Sequence, residues 1–478
     1  MALRLPPKYV FASVLVALGG FSNGYDTGSI GALLSMAQFS QSIGPLSPFL
    51  LGFTVALMML AGVLPSLIAG HMADRSGRLR IILLGAALFA VGSLLQGMAP
   101  RLALFMAGRA LAGAGQGIFL GPMSVYICEI APFRFRGALA GLPQFFAVTG
   151  TCAGYFTCYA TVAIPSSIAW RLPLLAQCVF ASCLVISCLT LPESPRWLIL
   201  HGRRTEARRS LQRLQFPLDE VESSFTATEH FSNLSPWQSF VLLFSRAYRP
   251  RTVLGLFVLG MVQLSGIDGV LYYAPTLFAQ AGLSSSTASF LASGVSAILM
   301  LAVSIPAFLL ADRWGRRTSA ITGGLVLATC MLLIGGLYAA GVVHQTGAAR
   351  WVVITAVYVF GLAYSVSWAI MSKIYASEIQ PAHVRASANC VAQALAFFTN
   401  WLVAIITPII LDKSPFGVYF LFGGLALGTV AFLAAYMPET RGRSLEEIQV
   451  AFQQPSLQLR DLKRYVRELV TLRARSNN

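Results

Sequence analysis

Asp74-Arg75-Ser76-Gly77-Arg78 is written a second time in this chain, as Asp312-Arg313-Trp314-Gly315-Arg316. Two further polar signatures return in the same order. Tyr126, Glu129, Ile130, Pro132 and Arg136 recur at identical spacing as Tyr375, Glu378, Ile379, Pro381 and Arg385, and Pro192-Glu193-Ser194 recurs as Pro438-Glu439-Thr440. The offsets, 238, 249 and 246 residues, describe one unit written twice. Three motifs repeated in register between hydrophobic stretches make coincidence a poor explanation, and internally repeated membrane helices point to a carrier whose site lies between the halves.

Composition names the solvent. With 56% hydrophobic and 11% charged residues and a mean hydropathy of +0.70, the chain is far from a soluble protein, in which about 25% of residues are charged. Apolar runs long enough to span a bilayer, which takes about 20 helical residues, fall near residues 10–33, 46–70, 80–98, 102–125, 137–164 and 172–191. A second set falls near 252–278, 287–311, 318–341, 351–377, 384–411 and 414–437. The expected architecture is an all-α membrane protein of twelve spans in two six-helix repeats. Its parts are an N-terminal bundle (1–192), a cytoplasmic helical loop (193–251), a C-terminal bundle (252–438) and a cytoplasmic tail (439–478).

A net charge of +16 invites a nucleic-acid reading, and its distribution rejects it. With a cytoplasmic N-terminus, the loops of the opposite side hold only Arg101, Arg171, Arg350 and Lys413, while Arg109 and Lys373 fall inside spans; the other 28 of 34 basic residues lie on the N-terminal side. This is the positive-inside asymmetry, which places both termini and the central loop in the cytoplasm. The first span starts within ten residues of Met1, lacks a small-residue cleavage site and leads into a membrane array, so it is expected to be retained.

Several features are read as structural. Cys128, Cys152, Cys158, Cys178, Cys183, Cys188, Cys330 and Cys390 lie in or beside spans without metal-ligand spacing, and are expected to pack as small hydrophobes. No metal or cofactor is called for. Asn233-Leu234-Ser235 falls in the cytoplasmic loop, where glycosylation does not occur. In that loop Trp197, Leu200, Ala207, Leu211 and Leu214 recur at helical spacing among Arg203, Arg204, Arg208, Arg209 and Arg213, which reads as an amphipathic helix on the bilayer surface. The tail repeats this style with Arg460, Lys463, Arg464 and Arg467.

The duplicated Asp-Arg-x-Gly-Arg loops resemble those of the sugar porters of the major facilitator superfamily. So do Pro192-Glu193-Ser194-Pro195-Arg196, Pro438-Glu439-Thr440-Arg441-Gly442-Arg443-Ser444, and Gln263-Leu264-Ser265-Gly266 followed by Tyr272-Tyr273. The resemblance runs from Gly19 to Ile448 and looks most like a fungal member. Gly24-Tyr25-Asp26-Thr27-Gly28 is similar to the proton-coupled branch, in which this acid pairs with an Arg of span four, here Arg109. Depth agrees independently. Asp26 lies roughly 25 Å from the inner end of span one and Arg109 roughly 20 Å from the inside, at about 1.5 Å per helical residue, so both reach the outer half. An intramembrane carboxylate is costly and by default functional.

By the same resemblance Gln144, Gln263 and Asn400 are candidate solute contacts, with Tyr272, Tyr273 and Trp401 nearby; amide side chains suit hydroxyl groups because they both donate and accept. The cavity then departs from the hexose pattern. Val262 replaces a Gln, Asp268 and Met300 replace Asn residues, Lys373 replaces a Trp, and Ala404 replaces the second Asn of the span-eleven motif. Asp268 and Lys373 become candidates for a changed specificity, too far apart in depth for a direct bond. They suit a charged, polyhydroxylated ligand, while Lys373 could instead snorkel to the inner surface.

Asp74, Arg75, Arg78, Glu129 and Arg136, with Asp312, Arg313, Arg316, Glu378 and Arg385, are expected to form a cytoplasmic charge gate. In it Glu129–Arg136 and Glu378–Arg385 would join the halves; the alternative is a set of topology-setting charges. The expected function is proton-coupled import of a sugar or sugar-like solute across the plasma membrane by a monomer. The alternatives are a proton-coupled exporter of a secondary metabolite, a transport-dead nutrient sensor, and, least of all, an enzyme. No Gly-x-x-x-x-Gly-Lys-Ser/Thr motif occurs, so ATP drive has no support.

Overall fold

The computed structural model describes residues 7–132, 135, 139–215, 236–246, 248–283, 286–310, 315–344, 347–380 and 385–440. The Asn233 sequon and the basic tail lie outside them. The described elements are helices. The first half holds α1 (Lys8–Leu34), α2 (Ala37–Ile43), α3 (Pro48–Ser76), α4 (Arg78–Met98), α5 (Leu102–Ile130), α6 (Leu142–Thr161) and α7 (Ile168–Thr190). A connection carries α8 (Pro195–Leu200), α9 (Arg204–Leu214) and α10 (Pro236–Leu243). The second half holds α11 (Arg249–Gln263), α12 (Ile267–Gln280), α13 (Ser286–Leu310), α14 (Arg316–Ala339), α15 (Ala349–Val366), α16 (Trp368–Glu378), α17 (Arg385–Lys413) and α18 (Gly417–Tyr436).

Ten stretches are long and apolar enough to cross a bilayer: α3, α4, α5, α7, the α11 and α12 pair, α13, α14, the α15 and α16 pair, α17 and α18. The chain is therefore a multi-pass membrane protein. Its outward surface agrees, since Leu64 (73% exposed), Leu189 (67%) and Ile186 (60%) form an apolar belt that only hydrocarbon accommodates. The remaining two expected spans, α1 at 27 residues and α6 at 20, have the length but not the apolarity. They spend their surface on each other. Gly20, Gly24 and Gly28 of α1 press on the carbonyls of Pro143, Ala147 and Thr151 of α6, and a Cβ at Gly24 would stand 1.8 Å from the Ala147 oxygen. Small residues at this spacing let two helices approach to backbone contact, which is how membrane helices gain packing without a hydrophobic drive.

One core gathers the first half around Phe89, Phe119 and Tyr126, and another gathers the second half around Phe360, Trp368 and Tyr419. A third mixes the halves: Ile30, Leu33 and Leu34 of α1 pack with Tyr272, Tyr273 and Phe290. It lies at the face away from the Asp74–Arg78 loop. Below, the face bearing Lys8, Asp74, Glu193 and Glu439 is the basic face and the other is the opposite face. Along the seam α3 also meets α17, with Gly52 against Pro408, Gly62 against Phe397 and Gly70 against Cys390.

The structure departs from the expected helices in three places. The eleventh and twelfth helices are one expected span, interrupted at Leu264-Ser265-Gly266, where Gly266 takes φ 88°. The span near 351–377 is likewise broken at Ser367, φ −112° and ψ −81°. The amphipathic segment after Glu193 is two helices rather than one, divided at Gly202 with φ 72°. Ala207, Leu211 and Leu214 are buried as the periodicity requires, but Leu200 is exposed because the turn takes it off the shared face. The cysteines are all free.

The α1 and α6 contact yields a stability test. Gly24→Ala should destabilise by about 1–3 kcal/mol, the usual cost of an overpacked site, because the obstructing atom is backbone. Gly121→Ala on α5, where nothing lies within 4 Å, should leave the melting temperature of the purified protein unchanged or slightly higher.

Candidate functional site

Asp26 lies midway along α1, 1% exposed, and meets Arg109 of α5, 0% exposed, with Nη1 2.6 Å from Oδ1. Hydrocarbon offers no water to solvate a guanidinium, so its other donors must find acceptors in the protein. Nη2 donates to the Val55 carbonyl at 2.8 Å and Nε to that of Thr54 at 3.3 Å, both on α3. Gln177 of α7, which the sequence reading missed, donates from Nε2 to the same Asp26 Oδ1 at 3.3 Å. The other carboxylate oxygen, Oδ2, is buried with no hydrogen-bond partner. A proton can therefore add at Oδ2 without displacing Arg109 from Oδ1.

Both broken spans point the same way. Interrupted membrane helices mark solute sites, because the free helix ends present polar backbone to a cavity. Just past the first break, Asp268 stands in the opening turn of α12, 8% exposed, with Oδ2 unpartnered. One turn on, the buried Tyr272 hydroxyl meets the Asn400 side chain of α17, and Asn400 Oδ1 and Trp401 Nε1 are buried without a partner. Buried polar atoms left unpaired each cost about 1–3 kcal/mol, so their convergence marks a place built for a ligand. Gln263, at the end of α11, is half-buried. Tyr273 is different: its hydroxyl donates to the Ala404 carbonyl at 2.8 Å, so it braces α12 against α17.

Lys373 has an exposed side chain on α16. Its Nζ donates to Gln144 Oε1 on α6, in the other half of the chain. The bond takes one candidate contact for the side chain of another. The Lys373 side chain is exposed although its neighbours Ser372 and Tyr375 are 2% and 0% exposed, so the space it faces lies along the seam. Asp268 and Lys373 form no ion pair, although each feels the other's charge. At the opposite face the seam is closed by backbone: a Cβ at Gly31 would fall 1.4 Å from the Tyr272 carbonyl oxygen, and the Tyr155 hydroxyl donates to the Leu271 carbonyl.

The charged loop is arranged differently from expectation. Among the described residues Glu129 is bound within its own half. Its carboxylate takes Arg78, with Nη2 3.2 Å from Oε1 and both side chains 8% exposed, and accepts from Ser194 Oγ at 2.6 Å. Arg78 also pairs with Asp74, while Arg75 is exposed. Arg136, Asp312 and Arg313 lie outside the described residues, as do the side chains of Glu378 and Arg385. Glu193 was quoted as a motif without a role, and the structure supplies one. It accepts from the N–H groups of Arg78 at 3.1 Å and Leu79 at 3.2 Å, capping α4. Glu439 does the same for α14, accepting from Arg316 at 2.7 Å and Arg317 at 3.1 Å. An acid at a helix N-terminus satisfies orphan N–H groups and complements the dipole. Burial pushes the Glu193 carboxyl up from its ordinary range, while the N–H groups of Ser194, Leu79 and Arg78 and the Arg78 charge pull it back.

A bilayer-spanning, twice-repeated bundle with unpaired polar atoms along its central seam is a carrier of small solutes. Residues 12–452 match the family model described as "Sugar (and other) transporter", and the chain belongs to that family. Among relatives, "Probable polyol transporter 6" of Arabidopsis thaliana is 31% identical over 453 residues, covering 90% of this chain and 91% of that protein. The fold matches the partially occluded inward open conformation of the xylose transporter XylE from E. coli, with TM-score 0.77, 23% identity, and 91% and 99% of the two chains covered. It also matches the proton:xylose symporter XylE bound to 6-bromo-6-deoxy-D-glucose, with TM-score 0.76, 24% identity, and 92% and 98% covered. Family and neighbours are transporters and not enzymes.

Removing Arg78 would strand the nearly buried Glu129. Arg78→Ala should cost about 3–5 kcal/mol, as for one partner of a buried pair. Arg203→Ala, in an exposed pair with Glu206 at 42% and 44% side-chain exposure, should stay within about 0–1 kcal/mol. Thermal unfolding of the purified variants in one detergent measures both.

Proposed function

We propose that this protein imports a sugar or sugar-like solute together with a proton across the plasma membrane, with its basic face and both termini in the cytoplasm. The observation that carries the proposal is the Asp26 carboxylate, which has one oxygen bound to Arg109 and Gln177 and the other free. Arg109 steadies the ionised acid. When the cavity opens to the proton-rich side, Oδ2 accepts a proton, the attraction to Arg109 weakens, and α1 is released to move against α5. The solute sits along the seam on Gln263, Asp268, Tyr272 and Asn400, with Trp401, Gln144 and Lys373 beneath it. Tyr273 contributes through its brace to Ala404. In this cycle the Gly31 and Tyr272 contact opens on the outward-facing stroke and the Lys373 to Gln144 bond opens on the inward one. The monomer is the transporting unit, the two halves moving as bodies around residues 193–251.

Similarity to a proton:xylose symporter in fold and to a polyol transporter in sequence supports this reading. So does the asymmetry of basic residues, which favours a cytoplasmic basic face. The charges around Asp74, Arg78, Glu129 and Arg316 then act by holding the cytoplasmic helix ends in register within each half; Arg75, Arg136, Asp312, Arg313, Glu378 and Arg385 remain candidates for the same edge.

Proteoliposomes with an imposed proton gradient test the coupling. Asp26→Asn should abolish concentrative uptake while solute exchange persists, because exchange needs no net protonation cycle. Concentration of solute against its gradient by Asp26→Asn would remove Asp26 from the coupling step.

A further inference from the structure

Two opposite charges stand in the seam without counterions. Lys373 spends one of its three ammonium donors on the neutral Gln144 amide. Asp268 leaves Oδ2 without a partner, and its carboxylate, acceptor-only when ionised, sits among Tyr272, Tyr364 and Lys373, whose electrostatic influence it shares. A neutral hexose would satisfy Asp268 through its hydroxyls but leave the ammonium short. A cationic amine would satisfy Asp268 and be repelled by Lys373. A zwitterion without hydroxyls would answer both charges and leave Asn400 Oδ1 unpaired.

We propose that the seam takes a polyhydroxylated acid, with its carboxylate on Lys373 and its hydroxyls on Asp268, Asn400 and Gln263. This rests on the solute site proposed above. The anion gives the ammonium a charged partner where Gln144 supplies only a neutral one, and the hydroxyls donate to the Asp268 carboxylate and both donate to and accept from the amides. Binding also draws Lys373 from Gln144, so the solute that fits the seam loosens the bond between the halves at the basic face. Recognition and opening then share one side chain.

D-gluconate, D-glucose and D-glucosamine share a six-carbon chain and differ in charge, and D-sorbitol, neutral and open-chain like gluconate, separates the effect of charge from that of ring opening. Their binding to the purified full chain, by ligand-induced thermal shift, and their counterflow in proteoliposomes are compared. The wild type should favour gluconate over glucose by at least about tenfold, with glucosamine weakest. Loss of a charge-assisted bond of about 1.5–3 kcal/mol predicts that Lys373→Gln lowers the gluconate-to-glucose preference about 10- to 150-fold, whatever smaller change both probes share through the lost bond to Gln144. Lys373→Arg should keep the preference for the acid, which a merely structural lysine would not require. Carriage of glucose with gluconate ignored, or an equal loss of both in Lys373→Gln, overturns the inference and leaves the sugar-porter reading standing. If none of the four binds or exchanges, both fall. A preference for glucosamine would reverse the assignment and make Asp268 the determinant.

Discussion

A guanidinium in hydrocarbon must find in the protein the acceptors that water would supply, and Arg109 finds them on two helices. Its donors are taken by Asp26 on α1 and by the Thr54 and Val55 carbonyls on α3, while α7 contributes Gln177 to the same carboxylate. Four helices are thereby fixed around one charge. The close packing of α1 on α6 follows from the same demand, because a helix carrying Asn23 and Asp26 gains little from lipid and must be held by backbone contact. Burial of this pair is weak evidence of stability, since two desolvated charges at best offset their own cost. In the transport cycle proposed above, its value lies in the oxygen of Asp26 that Arg109 leaves free.

The duplication and the span positions were legible in the sequence because each depends on linear spacing, whereas the meeting of Asp26 with Arg109 came from the family resemblance, with depth in agreement. Hydropathy counts residues per span, and the rise of a helix converts position to depth. Partner choice was not legible. Arg78 reaches Glu129 from the neighbouring helix, a contact that spacing along the chain does not reveal. Gln177 lay unnoticed because one amide in an apolar run has no periodic signature. The breaks at Leu264–Gly266 and Ser367 were also hidden, although Ser265-Gly266 carried a local signal in a glycine able to take positive φ. Ser367 carried none.

The repeated Pro-Glu motifs show what duplication preserves. Glu193 and Glu439 come from the far end of their own repeats, yet each closes on the turn that starts a helix more than a hundred residues earlier. Each half is stitched from its last span to its third by backbone N–H groups that any residue supplies. The acid is constrained, and the residues it holds are free to vary. The second donor of each cap accordingly differs, Leu79 in the first half and Arg317 in the second.

The charges lying away from the helix ends have an electrical meaning. Asp26 and Arg109 cancel, and so do Asp268 and Lys373. An unloaded protein with all four ionised presents no net charge to the membrane field as it turns, so its return is insensitive to voltage. One proton on Asp26 unbalances the sum, and a full charge crossing the field is worth about 2.3 kcal/mol per 100 mV. With a neutral solute the loaded stroke would therefore draw on the membrane potential as well as on the pH difference. With an acid aboard, the sum returns to zero and only the pH difference remains. The current that accompanies uptake is thus a direct reading of what occupies the seam.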